Sequence, residues 1–450
     1  MLDLTGNSHS NCEGVTRRSF LKIGSLGLAG LTLPDLLRLR AAEAAAGKNV
    51  ADTAVIQLWC GGGPTQIETY DPKPDAPVEY RGPLKPIRTK VSGIDICEVF
   101  PRQAQLADKF AIIRSCAHKE SGHGSATKNL LSGYPHPPNT NEGSLLYPSV
   151  GSVVAKVRES ERRNLPHYVC VPNDSVGRGN GETGSAYLGA AYNPFGASPN
   201  DGPKSLMVPP ELTAQRLENR RGLLTALDRL RRDSDASGML DGMDAFTRQA
   251  FEMVSGKAAR AALDLSLESV KVKEKYGHGT AVDRGYPWGQ GCLLARRLVE
   301  AGVSFVTVVM GSWDDHSKEK EAMEKRGPVF DAAVAALLED LSERGLDKQV
   351  AVVAWGEFGR TPLVNKGGGR DHWPGSMSVL LAGGGMKMGQ VIGSTDDKGA
   401  RPKERPLHPN DVLATLYKHL GIDHTRAFVN PAGRPIPLLP HGEPIAELIG

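Results

Sequence analysis

The chain has 450 residues, a formal net charge of +3, 23% charged residues and 40% hydrophobic ones. These proportions are those of an ordinary globular protein, and a charge so near zero gives no electrostatic case for a nucleic-acid partner. Gly numbers 52 and Pro 31, which points to a compact fold with many loops, and no apolar run reaches the roughly 18 residues that a permanent membrane span requires.

Residues 1–46 read as an export signal. Thr16-Arg17-Arg18-Ser19-Phe20-Leu21-Lys22 is a twin-arginine motif, and an apolar stretch from Ile23 to Leu33 follows it. Ala42-Glu43-Ala44 and Ala44-Ala45-Ala46 offer small-residue cleavage sites. The order of the three parts distinguishes the segment from a plain basic tail. The expected location is periplasmic or otherwise extracytoplasmic, and this route carries proteins already folded, with any metal or cofactor loaded. Of the six cysteines (12, 60, 97, 116, 170 and 292) the first leaves with the signal. The remaining five cannot all pair, no Cys-x-x-Cys occurs, and Cys60, Cys116 and Cys170 lie in or beside apolar runs, so no essential disulfide is expected.

From residue 47 onward the pattern is that of an α/β domain. Short apolar runs at Thr53–Cys60, Phe110–Ser115, His167–Val171, Val303–Met310, Val350–Trp355 and Ser378–Ala382 read as buried strands. Helical spacing appears over Leu293–Glu300, over Pro328–Arg344 with Gly345 as its stop, and over Asp411–Leu420 before Gly421. Strands alternating with helices predict a parallel sheet covered on both faces. Residues 205–285 break the alternation: Pro209-Pro210 opens a stretch rich in Leu, Ala, Arg, Asp and Glu, which predicts a mainly helical insertion. Residues 61–102 and 173–204 read as Gly- and Pro-rich loops.

In open parallel sheets ligands bind at the carboxyl ends of the strands, and four clusters of reactive side chains fall there. Gly61-Gly62-Gly63-Pro64-Thr65 leads to Glu68 and Asp71; its glycines let backbone approach a ligand, and Thr65 offers a hydroxyl, or simply caps a turn. His118 and His123 share a small-residue loop. Asp314-Asp315-His316 follows a strand directly; Asp-x-His places carboxylate and imidazole on one side of an extended chain, where they can share a metal, or else Asp314 or Asp315 caps a helix. Glu357 ends a late strand, with Asp371 and His372 close behind, and Arg360 and Arg370 can hold an anion bidentately, or else Arg360 pairs with Glu357. Carboxylate and imidazole together suit Zn, Mn or Fe, whereas carboxylates alone suit Mg or Ca. No Gly-x-Ser-x-Gly elbow, P-loop or His-Glu-x-x-His occurs.

Taken in order, the export signal, Gly61–Pro74, Ser312-Trp313-Asp314-Asp315-His316, Gly356–Pro362, Gly369–Trp373 and Gly393–Asp396 resemble the secreted proteins called domain of unknown function family 1501. The resemblance covers nearly all of the chain from residue 16. It implies kinship with the alkaline phosphatase and sulfatase superfamily, hence a three-layer α/β/α sandwich with metal ligands at strand ends and hydrolysis of phosphate or sulfate esters. Carried over to this sequence, it points to Thr65 as nucleophile, to Asp314 or Asp315 with His316 as metal ligands, to Glu357 as a further ligand, and to His372 with Asp371 beside it.

The sequence departs from that pattern at three places. Glu357-Phe358 stands where Asp-His is usual, and Cys60-Gly61 where an Asp is expected. Neither Cys-x-Pro-x-Arg nor Ser-x-Pro-x-Arg occurs, which argues against a formylglycine sulfatase. The leading expectation is an exported hydrolase of an anionic, sugar-linked or simpler ester, dependent on a divalent metal (Zn, Mn, Fe or Ca). Thr65 or water attacks, His123 or His118 moves protons, and Arg360 orients the anion. The alternative is a non-catalytic binding or scaffold protein on the same fold, in an extracytoplasmic polysaccharide-handling complex.

Overall fold

Strand β1 (Ala54–Trp59) is buried along its whole length, the mark of an inner strand covered above and below. Val55 and Trp59 enter one hydrophobic core, Ile56 and Leu58 another, which is the period-two alternation of an extended chain. The structure, a computed structural model, describes residues 53–136, 145–159, 165–172, 183–202, 257–279 and 285–449. The expected export signal and most of the expected helical insertion lie outside the described residues.

Seven further strands complete the sheet: β2 (Phe110–Cys116), β3 (Tyr168–Val171), β4 (Phe195–Gly196), β5 (Phe305–Val309), β6 (Val350–Trp355), β7 (Met377–Gly383) and β8 (Gln390–Ile392). Their spatial order is β8-β2-β7-β6-β1-β5-β3-β4. β1 lies at the centre, parallel to β5 on one side and β6 on the other. One expectation needs correction: β7 runs antiparallel to both β6 and β2, so the sheet is mixed. The link from β6 to β7 holds a small hairpin, Gly359–Arg360 against His372–Trp373, and no helix. Without a helical crossover to carry the chain back to the starting end, the next strand runs the other way.

Helices cover both faces. α1 (His123–Ser132), α2 (Val150–Val157) and a C-terminal helix, Pro409–His419, set Leu130, Val154, Leu413 and Tyr417 into the core that holds Val55 and Trp59. α3 (Trp288–Glu300) and α4 (Glu319–Glu343) set Leu294, Leu298, Phe330 and Leu337 into the core that holds Ile56 and Leu58. The fold class is thus the expected three-layer α/β/α sandwich. Both α3 and α4 start earlier than their apolar spacing suggests, α4 with Pro328 inside it. The early part of α4 is held by tertiary burial of Glu319, Met323 and Arg326 rather than by a continuous apolar stripe. Past the undescribed stretch, helices Lys257–Leu263 and Val270–Lys275 precede α3, and Ala259, Leu263 and Tyr276 join the α3–α4 core. Among the described residues no helix is long and apolar enough to cross a membrane, and the five described cysteines are buried, none of them in a disulfide.

The contact between α2 and the sheet sets two effects against each other. A Cβ at Gly151 would sit 2.5 Å from the Tyr168 ring, which is itself wedged edge-on against Phe305. Helix propensity alone favours Ala over Gly by about 1 kcal/mol. Overpacking costs about 1–3 kcal/mol and dominates here, so Gly151→Ala is expected to lower the midpoint of urea unfolding.

Candidate metal centre

Three loops leave the carboxyl ends of the adjacent strands β1, β5 and β6 and interlock. The Trp313 amide donates to the Gly61 carbonyl at 3.1 Å. Gly62 has φ +107°, and a Cβ there would lie 2.6 Å from the Asp314 nitrogen, so only glycine lets the β1 and β5 loops meet this closely. The Gly62 amide donates to Glu357 Oε1 at 2.8 Å, which ties in the β6 loop. Ser312, just before Trp313 and Asp314, adopts a left-handed φ of +78° that a non-glycine residue holds only at a cost.

On this frame one carboxylate and three imidazoles converge. Ligand atoms of His123, Asp314 and His372 all lie within 4.8 Å of one another, a group that can hold a metal ion. His123 Nε2 is 3.1 Å from Asp314 Oδ2, and His372 Nε2 is 3.2 Å from Asp314 Oδ1. His316 Nε2 lies 3.0 Å from Asp314 Oδ1 and 3.2 Å from His372 Nε2.

Each imidazole is held from behind at its other nitrogen. His123 Nδ1 is 2.7 Å from Glu357 Oε1, His316 Nδ1 is 2.7 Å from Asp371 Oδ1, and His372 Nδ1 is 2.9 Å from the Ser121 carbonyl. A carbonyl or an ionised carboxylate only accepts, so each Nδ1 carries the proton and donates it. In the neutral rings the Nε2 lone pairs then face one another and the Asp314 oxygens. Two lone pairs 3.2 Å apart repel unless a cation or proton stands between them. Outer acceptors that fix the tautomer and inner nitrogens that converge are the arrangement of a histidine metal site. The buried Glu357 Oε2 has no hydrogen-bond partner among the described residues, so that carboxylate keeps acceptor capacity beside the cluster.

The electrostatics agree. Burial works against charge on Asp314, but the hydrogen bond from Arg360 Nη2 at 2.7 Å and the Arg360 charge hold its carboxyl well below the usual carboxylate range. Burial, with the Arg360 charge, pushes His372 below the usual imidazole range, which favours the neutral, ligating form. The hydrogen bond from His316 keeps Asp371 ionised, its titration shifted downward.

The structure brings together Asp314, His316, His372 and His123, with Glu357 and Asp371 standing behind two of the imidazoles. His123, expected to move protons, lies with its Nε2 among the inner nitrogens, and Glu357, expected as a direct ligand, lies behind that ring at its Nδ1. Of the two adjacent acids, Asp314 belongs to the cluster, whereas Asp315 pairs with Arg326.

Three further expectations are corrected. Thr65 is 1% exposed and its hydroxyl donates to Glu68 Oε2 at 2.6 Å, so it closes a turn in the interior and is not presented to a substrate. Arg360 is fully buried: Nε donates to the Gly63 carbonyl at 2.9 Å, Nη1 to the Arg370 carbonyl at 3.1 Å, and Nη2 to Gly62 and Asp314. It positions the loops and leaves no open fork for an anion, and its carboxylate partner is Asp314 rather than Glu357. Arg370 likewise grips Glu68 in the interior. His118 is buried, its Nδ1 accepting from the Glu120 amide at 3.2 Å, and burial lowers its pKa to about 4, so it stays neutral. Sequence reasoning had no means of finding the Ser121 carbonyl, because every residue carries one.

The sequence matches the family model described as protein of unknown function (DUF1501) over residues 52–449. No curated protein matches it. Solved structures that resemble it include the PsFucS1 sulfatase from Pseudoalteromonas sp., at 12% identity and a TM-score of 0.36, over 86% of this chain and 70% of that one. A protein in the alkaline phosphatase superfamily from Vibrio parahaemolyticus matches at 10% identity and a TM-score of 0.37, over 82% of this chain and 67% of that one. The phosphonate monoester hydrolase of Agrobacterium radiobacter matches at 13% identity and a TM-score of 0.33, over 88% and 78%. Likenesses this loose carry no chemistry to this chain.

Two substitutions probe the frame around the cluster. Arg370→Met leaves the Glu68 carboxylate buried and unpaired, and is expected to cost about 3–5 kcal/mol in urea unfolding. Ser312→Gly relieves the left-handed backbone and is expected to gain about 1 kcal/mol in the same measurement.

Proposed function

The chain belongs to the DUF1501 family, whose description names no activity, and we propose that it is an exported, metal-dependent hydrolase of anionic esters of the phosphate or sulfate kind. The observation that supports this reading is the convergence of three imidazole Nε2 atoms on Asp314, with an acceptor behind each ring. A donor set dominated by imidazole suits Zn, Mn or Fe. It suits Ca poorly, since that ion takes about six to eight oxygens.

When bound, a divalent ion at these donors would supply Lewis-acid polarisation of an ester oxygen and would make water a stronger acid. The protein's own groups prepare that chemistry. Glu357, Asp371 and the Ser121 carbonyl take the Nδ1 hydrogen bonds and so orient the three Nε2 atoms inward, and Arg360 keeps Asp314 ionised. With Thr65 closed into the interior, water is the attacking group in this reading. His316 and Asp371 are the exposed members, with side chains 48% and 57% accessible, so His316 Nε2 is the imidazole nitrogen that an ester arriving from solvent meets first. Export through the twin-arginine route fits a centre loaded before secretion.

A second reading has one observation in its favour. Neither Thr65 nor Arg360 faces a ligand, so a nucleophilic hydroxyl and an arginine clamp are both withdrawn from the site. That suits a binding or scaffold protein that keeps the centre without turnover.

Elemental analysis of protein exported through its own signal is expected to find about one equivalent of Zn, Mn or Fe. His372→Ala and Asp314→Ala should lose it with the fold retained by circular dichroism. Glu357→Gln, which weakens the support behind His123, should lower metal affinity about 10–100-fold. Hydrolysis of phosphate, phosphonate or sulfate esters should disappear with the metal. Metal without turnover of any such ester would favour the second reading, and a folded protein with no metal would overturn the centre itself.

A further inference from the structure

Two of the imidazoles that converge on Asp314 share a neighbour that carries no ligand atom. Phe358 follows Glu357 in the β6 loop and is 0% exposed. Its ring centroid lies 4.6 Å from that of His372, with 31° between the planes, and 5.2 Å from that of His123, at 40°. The two imidazoles are themselves 4.3 Å apart and steeply inclined, at 71°. Phe358, His123 and His372 thus form a triangle of rings in mutual contact.

The surroundings hold the phenyl ring in place. Gly63 has φ +80°, and a Cβ there would lie 2.6 Å from Phe358 Cδ2, so the β1 loop meets the ring with bare backbone. The guanidinium carbon of Arg360 lies 5.7 Å from the ring centroid, and the same guanidinium holds Asp314. His316 and Asp371 are the members of the cluster open to solvent, so a fully buried ring against His123 and His372 backs the cluster from the interior.

The hydrogen bonds behind the imidazoles leave this ring something to do. Glu357 anchors His123, and the Ser121 carbonyl anchors His372, each through Nδ1. An anchor at one atom fixes where a ring is held but lets it tilt about that point, and tilting swings Nε2 away from its target. A rigid aromatic neighbour in contact with both rings blocks the tilt, since such pairs settle into preferred offsets and inclinations. The tolerance is narrow: a binding constellation has to be held within about 0.5 Å and 10–20° of its working geometry.

We propose that Phe358 is a positioning residue of the metal centre, its ring setting the tilt at which the Nε2 atoms of His123 and His372 meet Asp314. The inference rests on the metal reading of that centre and not on hydrolysis.

Phe358→Leu keeps an apolar side chain of moderate size and removes the rigid face. Zn²⁺ affinity of the full chain, measured by competition with a chelator, is expected to fall about 10–100-fold in this variant, as for loss of an outer-shell support. The visible bands of bound Co²⁺, which report the angles between donors, should shift with it. Leu337→Ala removes core packing on α4, away from these rings; it should lower the midpoint of urea unfolding and leave both metal readouts unchanged. Phe358→Met provides the same comparison if the leucine variant does not fold. Undiminished Zn²⁺ affinity in the folded Phe358 variant, or an equal loss in Leu337→Ala, would overturn the proposal and leave the centre standing. A wild-type chain that binds neither ion would overturn the centre and the proposal together.

Discussion

The guanidinium of Arg360, buried to the last atom, is the contact on which the centre depends. It reaches the Gly62 and Gly63 carbonyls of the β1 loop, Asp314 of the β5 loop and the Arg370 carbonyl within its own segment. Its backbone amide is received by Gln66 Oε1, while Gln66 Nε2 returns to the Arg360 carbonyl. A charge this deep is tolerated only when it is paired and its donors are met. Every one of these acceptors lies on a loop that carries or adjoins a member of the cluster. The requirement to satisfy one buried cation therefore places the residues that can bind another.

The same demand for partners explains the division of labour around the imidazoles. A histidine in a cluster has two nitrogens, and the partner of one decides what the other can do. Glu357 and Asp371 stand one layer out and supply no more than an acceptor to Nδ1, yet they turn the Nε2 atoms of His123 and His316 inward. The price of this order is a left-handed Ser312, a strain of the kind that collects at functional sites. Two continuous apolar cores, one on each face of the sheet, supply the rigidity that holds such a geometry.

Much of this was legible in the residues. Apolar runs located the six strands named from sequence, and their placement put Asp314, His316 and Glu357 just past strand ends, where an α/β sheet displays its chemistry, with His372 on a later loop. Less legible were the direction of β7, decided by a connection too short in helix to recross the sheet, and the early start of α4, decided by burial against the periodicity. The partners of Thr65, His123, Glu357 and Arg360 were not legible either, for a common reason: what a side chain touches is set by distant parts of the chain.

The sequence by itself determined the alternation that makes a doubly covered sheet and the residue types gathered after its strands. Both follow from local periodicity and composition, which act over a few residues. The tertiary structure alone decided which of those residues are inner and which stand behind. His123 meets Glu357 across 234 residues of chain, and Arg360 meets the Gly62 carbonyl across 298. No spacing rule spans such distances. Those pairings are set by which strands lie side by side and by the need to give every buried charge and donor a partner.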